Sequence, residues 1–238
     1  MRTTLLAVAW MAVILGTASA AAWASVMQFG TDGLVSNFDA APGGTVVVPV
    51  YLYETFDPVS ETAVLEEEGG LFSAGLKISR VSAGPSQPAG ALSPAHIAPN
   101  AAFNETEPTV SPLKAVDLTG GVFNSASLVE SRDLWESTGV VAEAPTGATR
   151  RVFLGAFTFT AGNVLGEVTD LRIQDNDPLL DDTVTWALPG LALDADIQAF
   201  DFTITAVPEP ATMGLLAAGL LSLVPRRRGA KVRVSQAK

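Results

Sequence analysis

The sequence predicts an all-β protein, an antiparallel β-sandwich flanked by an N-terminal signal helix and a C-terminal hydrophobic helix. Three observations carry this reading. Runs rich in β-branched and aromatic residues recur through the body, separated by Gly, Pro, Asn and Asp turns. Between the apolar ends no stretch sustains a 3.6-residue period, although residues 126–136 admit a short helix. Among the 238 residues there is no cysteine, so a domain of this size must hold itself together by a core rather than by disulfides. The same absence excludes thiol catalysis, thiolate metal sites and cluster cofactors.

Residues 1–24 form a secretory signal peptide. Arg2 supplies the positive end, residues 5–15 the apolar stretch, and small residues offer cleavage after Ala20 or after Ala24. The second site, slightly preferred, makes Ser25 the first mature residue. Residues 25–206 then constitute one sandwich domain, long enough to bury a sizeable core.

The whole chain carries a formal charge of −11, but the exported part is more acidic. Setting aside Arg2 and the six basic residues after 225 leaves seven Lys and Arg against all 25 Asp and Glu, or 7 − 25 = −18. A surface of that sign repels phosphate backbones and anionic lipid, so nucleic acid is excluded as a partner. It favours solubility and weak association with divalent cations.

Taken in order, the strands read as follows. Residues 45–52 are Val-rich after the turn Pro42-Gly43-Gly44, and Pro49 within them calls for a sheet edge or a bulge. Residues 71–81 alternate, with Leu71, Ala74, Leu76 and Ile78 apolar and Lys77, Ser79 and Arg80 outward. Residues 151–160 set Val152, Leu154 and Ala156 against Phe153, Phe157 and Phe159; apolar on both faces, this is a central strand. Residues 166–173, 183–188 and 199–206 complete the set. A Pro-, Ala- and Ser-dense insert at 83–112 and a looser region at 137–148 read as long loops.

The stretch Asp39-Ala40-Ala41-Pro42-Gly43-Gly44-Thr45-Val46-Val47-Val48-Pro49-Val50 resembles the opening of cohesin-type domains. Leu154-Gly155-Ala156-Phe157-Thr158-Phe159-Thr160, followed by Gly166, is similar to their late strands. The resemblance implies a jelly-roll sandwich, in a family some of whose members bind dockerin modules. The insert at 83–112 departs from a compact cohesin.

At the C-terminus, residues 207–238 depart from the body. Pro208-Glu209-Pro210 opposes helix extension upstream, and Pro210 suits the first turn of a helix that follows. Residues 211–224 carry no charge and span roughly 21 Å at ~1.5 Å per residue, against a hydrocarbon core of about 30 Å. Arg226, Arg227 and Arg228 then place the tail on the cytoplasmic side and the body outside. A rigid Pro-Glu-Pro, a marginal membrane helix and a basic stop together resemble the PEP-CTERM sorting signal. That resemblance implies recognition by exosortase, a membrane-embedded, transpeptidase-like enzyme of exopolysaccharide-producing bacteria. It also implies transient anchoring in the inner membrane before release to the cell surface or extracellular matrix. The basic tail running on to Lys238 is longer than the family's usual stub.

Catalytic signals are thin. His96, the only histidine, lies in the proline-rich insert without a partnering motif, so neither a serine triad nor a His-ligated metal follows. Asp175, Asp177 and Asp181 sit in the densest oxygen-ligand loop, beside Asn176 and Asp182, with Asp194 and Asp196 downstream. Calcium is the one cofactor this pattern admits, although such turns are more often simply solvated and no EF-hand glycine or terminal glutamate completes the loop. Glu66-Glu67-Glu68 before Gly69-Gly70 reads as a solvated loop tip, and no carboxylate pair stands out as a glycosidase pair. Trp135 and Trp186 suit either sugar stacking or a half-buried place at the sandwich edge.

The sequence therefore favours a non-enzymatic, exported, exosortase-sorted protein with a structural or adhesive body. Exosortase is the partner implied for the tail, and exopolysaccharide or another surface protein for the body. A small hydrolase of matrix polysaccharide and a cohesin-like receptor for a dockerin-type partner are the alternatives.

Overall fold

A computed structural model describes residues 25–82, 92–105, 113–177, 179–187 and 190–209. The signal segment 1–24, the apolar segment 211–224 and the basic tail lie outside these residues, as do 83–91 and 106–112 of the insert. Among the described residues no helix is long and apolar enough to cross a membrane.

The described residues form β1 (Val26–Thr31), β2 (Asn37–Ala40), β3 (Thr45–Thr55), β4 (Leu71–Arg80), β5 (Ile97–Pro99), β6 (Leu113–Thr119) and β7 (Val122–Ser131). They continue with β8 (Glu143–Thr146), β9 (Thr149–Thr160), β10 (Val168–Asp175), β11 (Val184–Thr185), β12 (Ile197–Gln198) and β13 (Phe200–Ala206). One turn of α-helix, α1 (Val64–Glu67), and short 3-10 turns at Asp32–Leu34, Pro94–His96 and Asp194–Asp196 interrupt them.

Two sheets result. One runs β12-β1-β3-β9-β5 with β8 also on β9; the other runs β2-β13-β10-β4-β7-β6 with β11 on β4. Pairing is antiparallel except between β1 and β12 and between β2 and β13, which are parallel at the sheet edges. The expected sandwich is thus observed, with those two parallel additions.

One hydrophobic core fills the space between the sheets. Val48, Val50 and Leu52 of β3 face Leu76 and Ile78 of β4, Leu128 of β7 and Ile173 of β10, all at 1 % exposure or less. Phe159 bridges the layers, its ring 5.7 Å from Phe123 and 6.3 Å from Phe202 in edge-on contacts. Such offsets suit the ring quadrupoles better than a face-to-face sandwich does.

The central strand β9 corrects one detail of the sequence reading. Its residues are not apolar on both faces in a single register. Val50 pairs with Gly155 and Tyr51 with Phe153, leaving Leu154 as an extra residue in a bulge. A bulge shifts the two-residue period, so Val152 and Leu154 point inward before it and Phe157 and Phe159 after it. Phe153 turns to the other face, half-buried, 5.2 Å from Tyr51. Pro49, for which a bulge or edge was expected, lies one residue before this irregularity, just past the Thr31–Val50 pair that ends the β1 ladder.

Residues 126–131 are strand rather than helix. They belong to β7, held between β4 and β6 on both sides. Ala, Leu and Glu favour helix locally, but two flanking ladders and the burial of Ala126 and Leu128 override that preference. The insert is also more than loop: Leu92, Ile97 and Phe103 are buried and β5 pairs with β9.

Glu66–Glu68 fall on and just after α1 rather than on an isolated tip. Glu54, fully buried on β3, holds the start of that turn, accepting the Val64 and Leu65 N–H groups at 2.6 and 2.9 Å. A carboxylate there satisfies two backbone donors that a helix start leaves without partners.

Candidate functional site

Two features stand out, one at the chain's exit from the sandwich and one at the end of the second sheet. At the exit, β13 is hydrogen-bonded between β10 and β2 up to Ala206. The Val207 N–H makes the last anchoring contact, to the Ala40 carbonyl at 2.8 Å. Pro208 and Glu209 then stand exposed. The sandwich thus holds the chain up to the residue before the Pro-Glu-Pro motif. Pro210 and Arg226–Arg228 lie outside the described residues.

The second feature is a knot of carboxylates. Asp175 ends β10, opposite Leu76 of β4. Asp182 closes the following turn, where its Oδ2 accepts from the Asn176 amide at 3.1 Å. Asp194 opens a short 3-10 turn and its Oδ1 accepts the Thr183 N–H at 2.9 Å. One carboxylate oxygen from each of Asp175, Asp182 and Asp194 lies within 4.8 Å of the others. By distance and angle no donor bonds either oxygen of Asp175, Oδ1 of Asp182 or Oδ2 of Asp194, although the Asn176 N–H draws weakly on the Asp175 carboxyl. Burial, reinforced by Asp194, pushes the Asp175 carboxyl up to about 6. Burial chiefly, with repulsion from Asp194 and Asp175, pushes Asp182 up to about 7 against the opposing Asn176 contact.

The cluster overlaps the sequence-predicted ligand set in Asp175 alone. Asp177 instead closes its own turn, its Oδ1 accepting the Leu179 N–H at 3.1 Å, and Asp181 is exposed. Asp182 and Asp194 take the places beside Asp175. Asp194 lies twelve or more residues from the other two, and no local spacing marks it as their neighbour.

The remaining candidates are placed as follows. His96 is exposed, and its Nδ1 accepts the Ser93 N–H at 3.1 Å within one 3-10 turn. Trp186 is half-buried, 6.0 Å from the Phe72 ring, whereas Trp135 is 95 % exposed. Sequence reasoning missed Glu130, a buried acid at the inward face of β7 whose oxygens lack a donor in full hydrogen-bond geometry, the Asn100 N–H pulling only weakly. Its place two residues after inward Leu128 was the available signal.

A two-sheet β-sandwich whose last strand leads directly into a Pro-Glu-Pro motif, with Pro208 and Glu209 exposed, is the class these features define. Residues 206–228 match the PEP-CTERM protein-sorting motif. That motif implies export, C-terminal membrane anchoring and processing by exosortase. No curated protein matches the chain. Among solved structures, a cohesin from Clostridium acetobutylicum is similar at 13 % identity and a TM-score of 0.45, covering 76 % of this chain and 91 % of the cohesin. A type III cohesin module from a cell-surface anchoring scaffoldin of Ruminococcus flavefaciens gives 14 % identity, a TM-score of 0.40 and coverage of 77 % and 88 %. The collagen-binding domain of a Staphylococcus aureus adhesin gives 10 % identity, a TM-score of 0.33 and coverage of 75 % and 96 %.

Proposed function

We propose that the chain is a non-enzymatic protein of the cell surface or exopolysaccharide matrix, delivered there by exosortase, with the sandwich serving as a structural or adhesive module. The observation that carries this reading is the placement of the sorting motif. The last strand is held to Val207, and the recognition residues Pro208 and Glu209 stand exposed beside it, which suits an enzyme that must grasp an extended segment. The acidic body, with its net charge of 7 − 25 = −18, repels like-charged polymers and stays soluble once released. A polysaccharide or another surface protein is the partner class for such a module.

Deleting Pro208-Glu209-Pro210 tests the sorting step. In an exopolysaccharide-forming host carrying exosortase, the native chain is expected in the extracellular fraction and the deletion variant in the membrane fraction. Equal distribution of the two between fractions contradicts the reading.

A further inference from the structure

We propose that Asp175, Asp182 and Asp194 together bind one calcium ion, which ties the end of β10, the 176–183 turn and the 194–196 turn to one another beside β4.

The argument begins with Asp194. It is only 7 % exposed, comes from a separate segment, and turns its carboxyl into the cluster with Oδ2 reaching no donor. A buried carboxylate oxygen without a partner is costly, and buried charges are paired or coordinate metals. None of the described ion pairs involves any of the three aspartates. A divalent cation supplies the missing partner for all three at once.

The donor chemistry selects the ion. The three side chains offer only carboxylate oxygen, which suits hard cations rather than zinc or copper. Three oxygens within 4.8 Å of one another are close enough to share one cation, and calcium, with ligands at about 2.3–2.6 Å in a flexible shell, accepts such a set readily. Magnesium demands a near-ideal octahedron at about 2.0–2.1 Å and is less forgiving of ligands drawn from three separate segments.

Neighbouring groups hold the ligands in place. The Asn176 amide fixes Asp182, and the Thr183 N–H fixes Asp194. Thr183 is itself bound to β4, its Oγ1 accepting the Gly75 N–H at 3.2 Å. Position 75 must be glycine for Asp182 to lie there, since a Cβ would fall 2.1 Å from the Asp182 carboxyl carbon. Outer contacts of this kind orient metal ligands and are needed for affinity.

The test is calorimetric titration of the purified full chain with calcium chloride, together with thermal melting in calcium and in chelator. Saturable binding of one ion per chain is expected. A hundredfold excess of calcium over Kd is expected to raise Tm by about 5–10 °C. D194N keeps the oxygen that accepts the Thr183 N–H and is expected to weaken binding at least tenfold. D182N, melting cooperatively in chelator, provides a second variant and is expected to weaken binding to a similar degree. D177N and D181N, outside the cluster, are expected to bind as the native chain does. Absence of binding to the native chain overturns the proposal. So does undiminished binding by both D194N and D182N, loss of binding confined to D177N or D181N, or magnesium binding as tightly as calcium.

Discussion

Replacing Phe157 with alanine is expected to destabilise the sandwich by about 3–5 kcal/mol, the usual range for removing a buried phenylalanine ring. Phe157 has no exposed surface and lies on the central strand β9, paired with Val48 on one side and Ile97 on the other. Its neighbours belong to ladders on both flanks and cannot collapse into the space the ring leaves. Urea denaturation of native and F157A protein measures the loss. F153A provides the contrast: Phe153, just before the bulge, faces away from the core, and its loss is expected to cost about 1 kcal/mol, from its contact with Tyr51. Equal losses at the two positions would contradict the shift of period at Leu154.

Glu130 sets the second large effect, a dependence of stability on pH. The side chain is 1 % exposed, no donor meets full hydrogen-bond geometry with either oxygen, and burial, against the weaker pull of the Asn100 N–H, pushes its carboxyl up to about 9. The folded protein therefore holds this group neutral at pH 7, while the unfolded chain ionises it near the ordinary glutamate value of about 4.3. Because the folded value is the higher one, the stabilisation is fully present below the unfolded value. It is lost as pH rises through the folded value. Between pH 5 and pH 7 the loss amounts to about 3 kcal/mol, at ~1.4 kcal/mol per unit. E130Q is permanently neutral and of the same shape, so it is expected to lack this contribution to the slope. It should stand close to the native chain at pH 5 and exceed it by about 2–3 kcal/mol at pH 7. Urea midpoints of both proteins at the two pH values decide the matter, and parallel pH profiles would contradict the neutral buried acid.

Much of the sandwich was legible because a half-buried strand writes its period into the chain. Ala74, Leu76 and Ile78 alternate with outward residues within β4, with Leu71 out of step at its start, and Phe200, Phe202 and Ile204 do the same for β13. Where the period is broken, local reading falls short. Leu154 adds one residue to β9, and what looks like a strand apolar on both faces is one inward face out of step with itself. β7 was hidden by its Ala, Leu and Glu content, yet the hairpin that makes it carries a signal. Gly120 and Gly121 both take positive φ, at 63° and 81°, and join β6 to β7 in a two-residue turn. A Gly-Gly pair before the alternating Phe123, Ser125 and Ser127 is the pattern such a turn demands.

The two candidate sites differ in legibility for a physical reason. A sorting signal is read as an extended segment, so its residues are contiguous and Pro208-Glu209-Pro210 stands out at once. The carboxylate cluster is assembled by tertiary structure. The turn after β10 brings Asp182 back over Gly75, and the Thr183–Asp194 hydrogen bond brings in a residue from beyond β11. Sequence density pointed to the loop from 175 to 182, and the fold brings together Asp175, Asp182 and Asp194 rather than Asp177 and Asp181. Glu130 is likewise a product of register, inward because Ala126 and Leu128 are inward.

The central claim is that this chain is an exosortase-sorted sandwich, and the intact mass of the protein recovered outside the cell tests it most directly. The account predicts a mass lacking the signal segment, cut after Ala20 or Ala24, and lacking the segment that carries Arg226, Arg227 and Arg228. A recovered protein that retains those three arginines, or one found only in the membrane at its full C-terminal length, would contradict it and leave the tail a plain anchor.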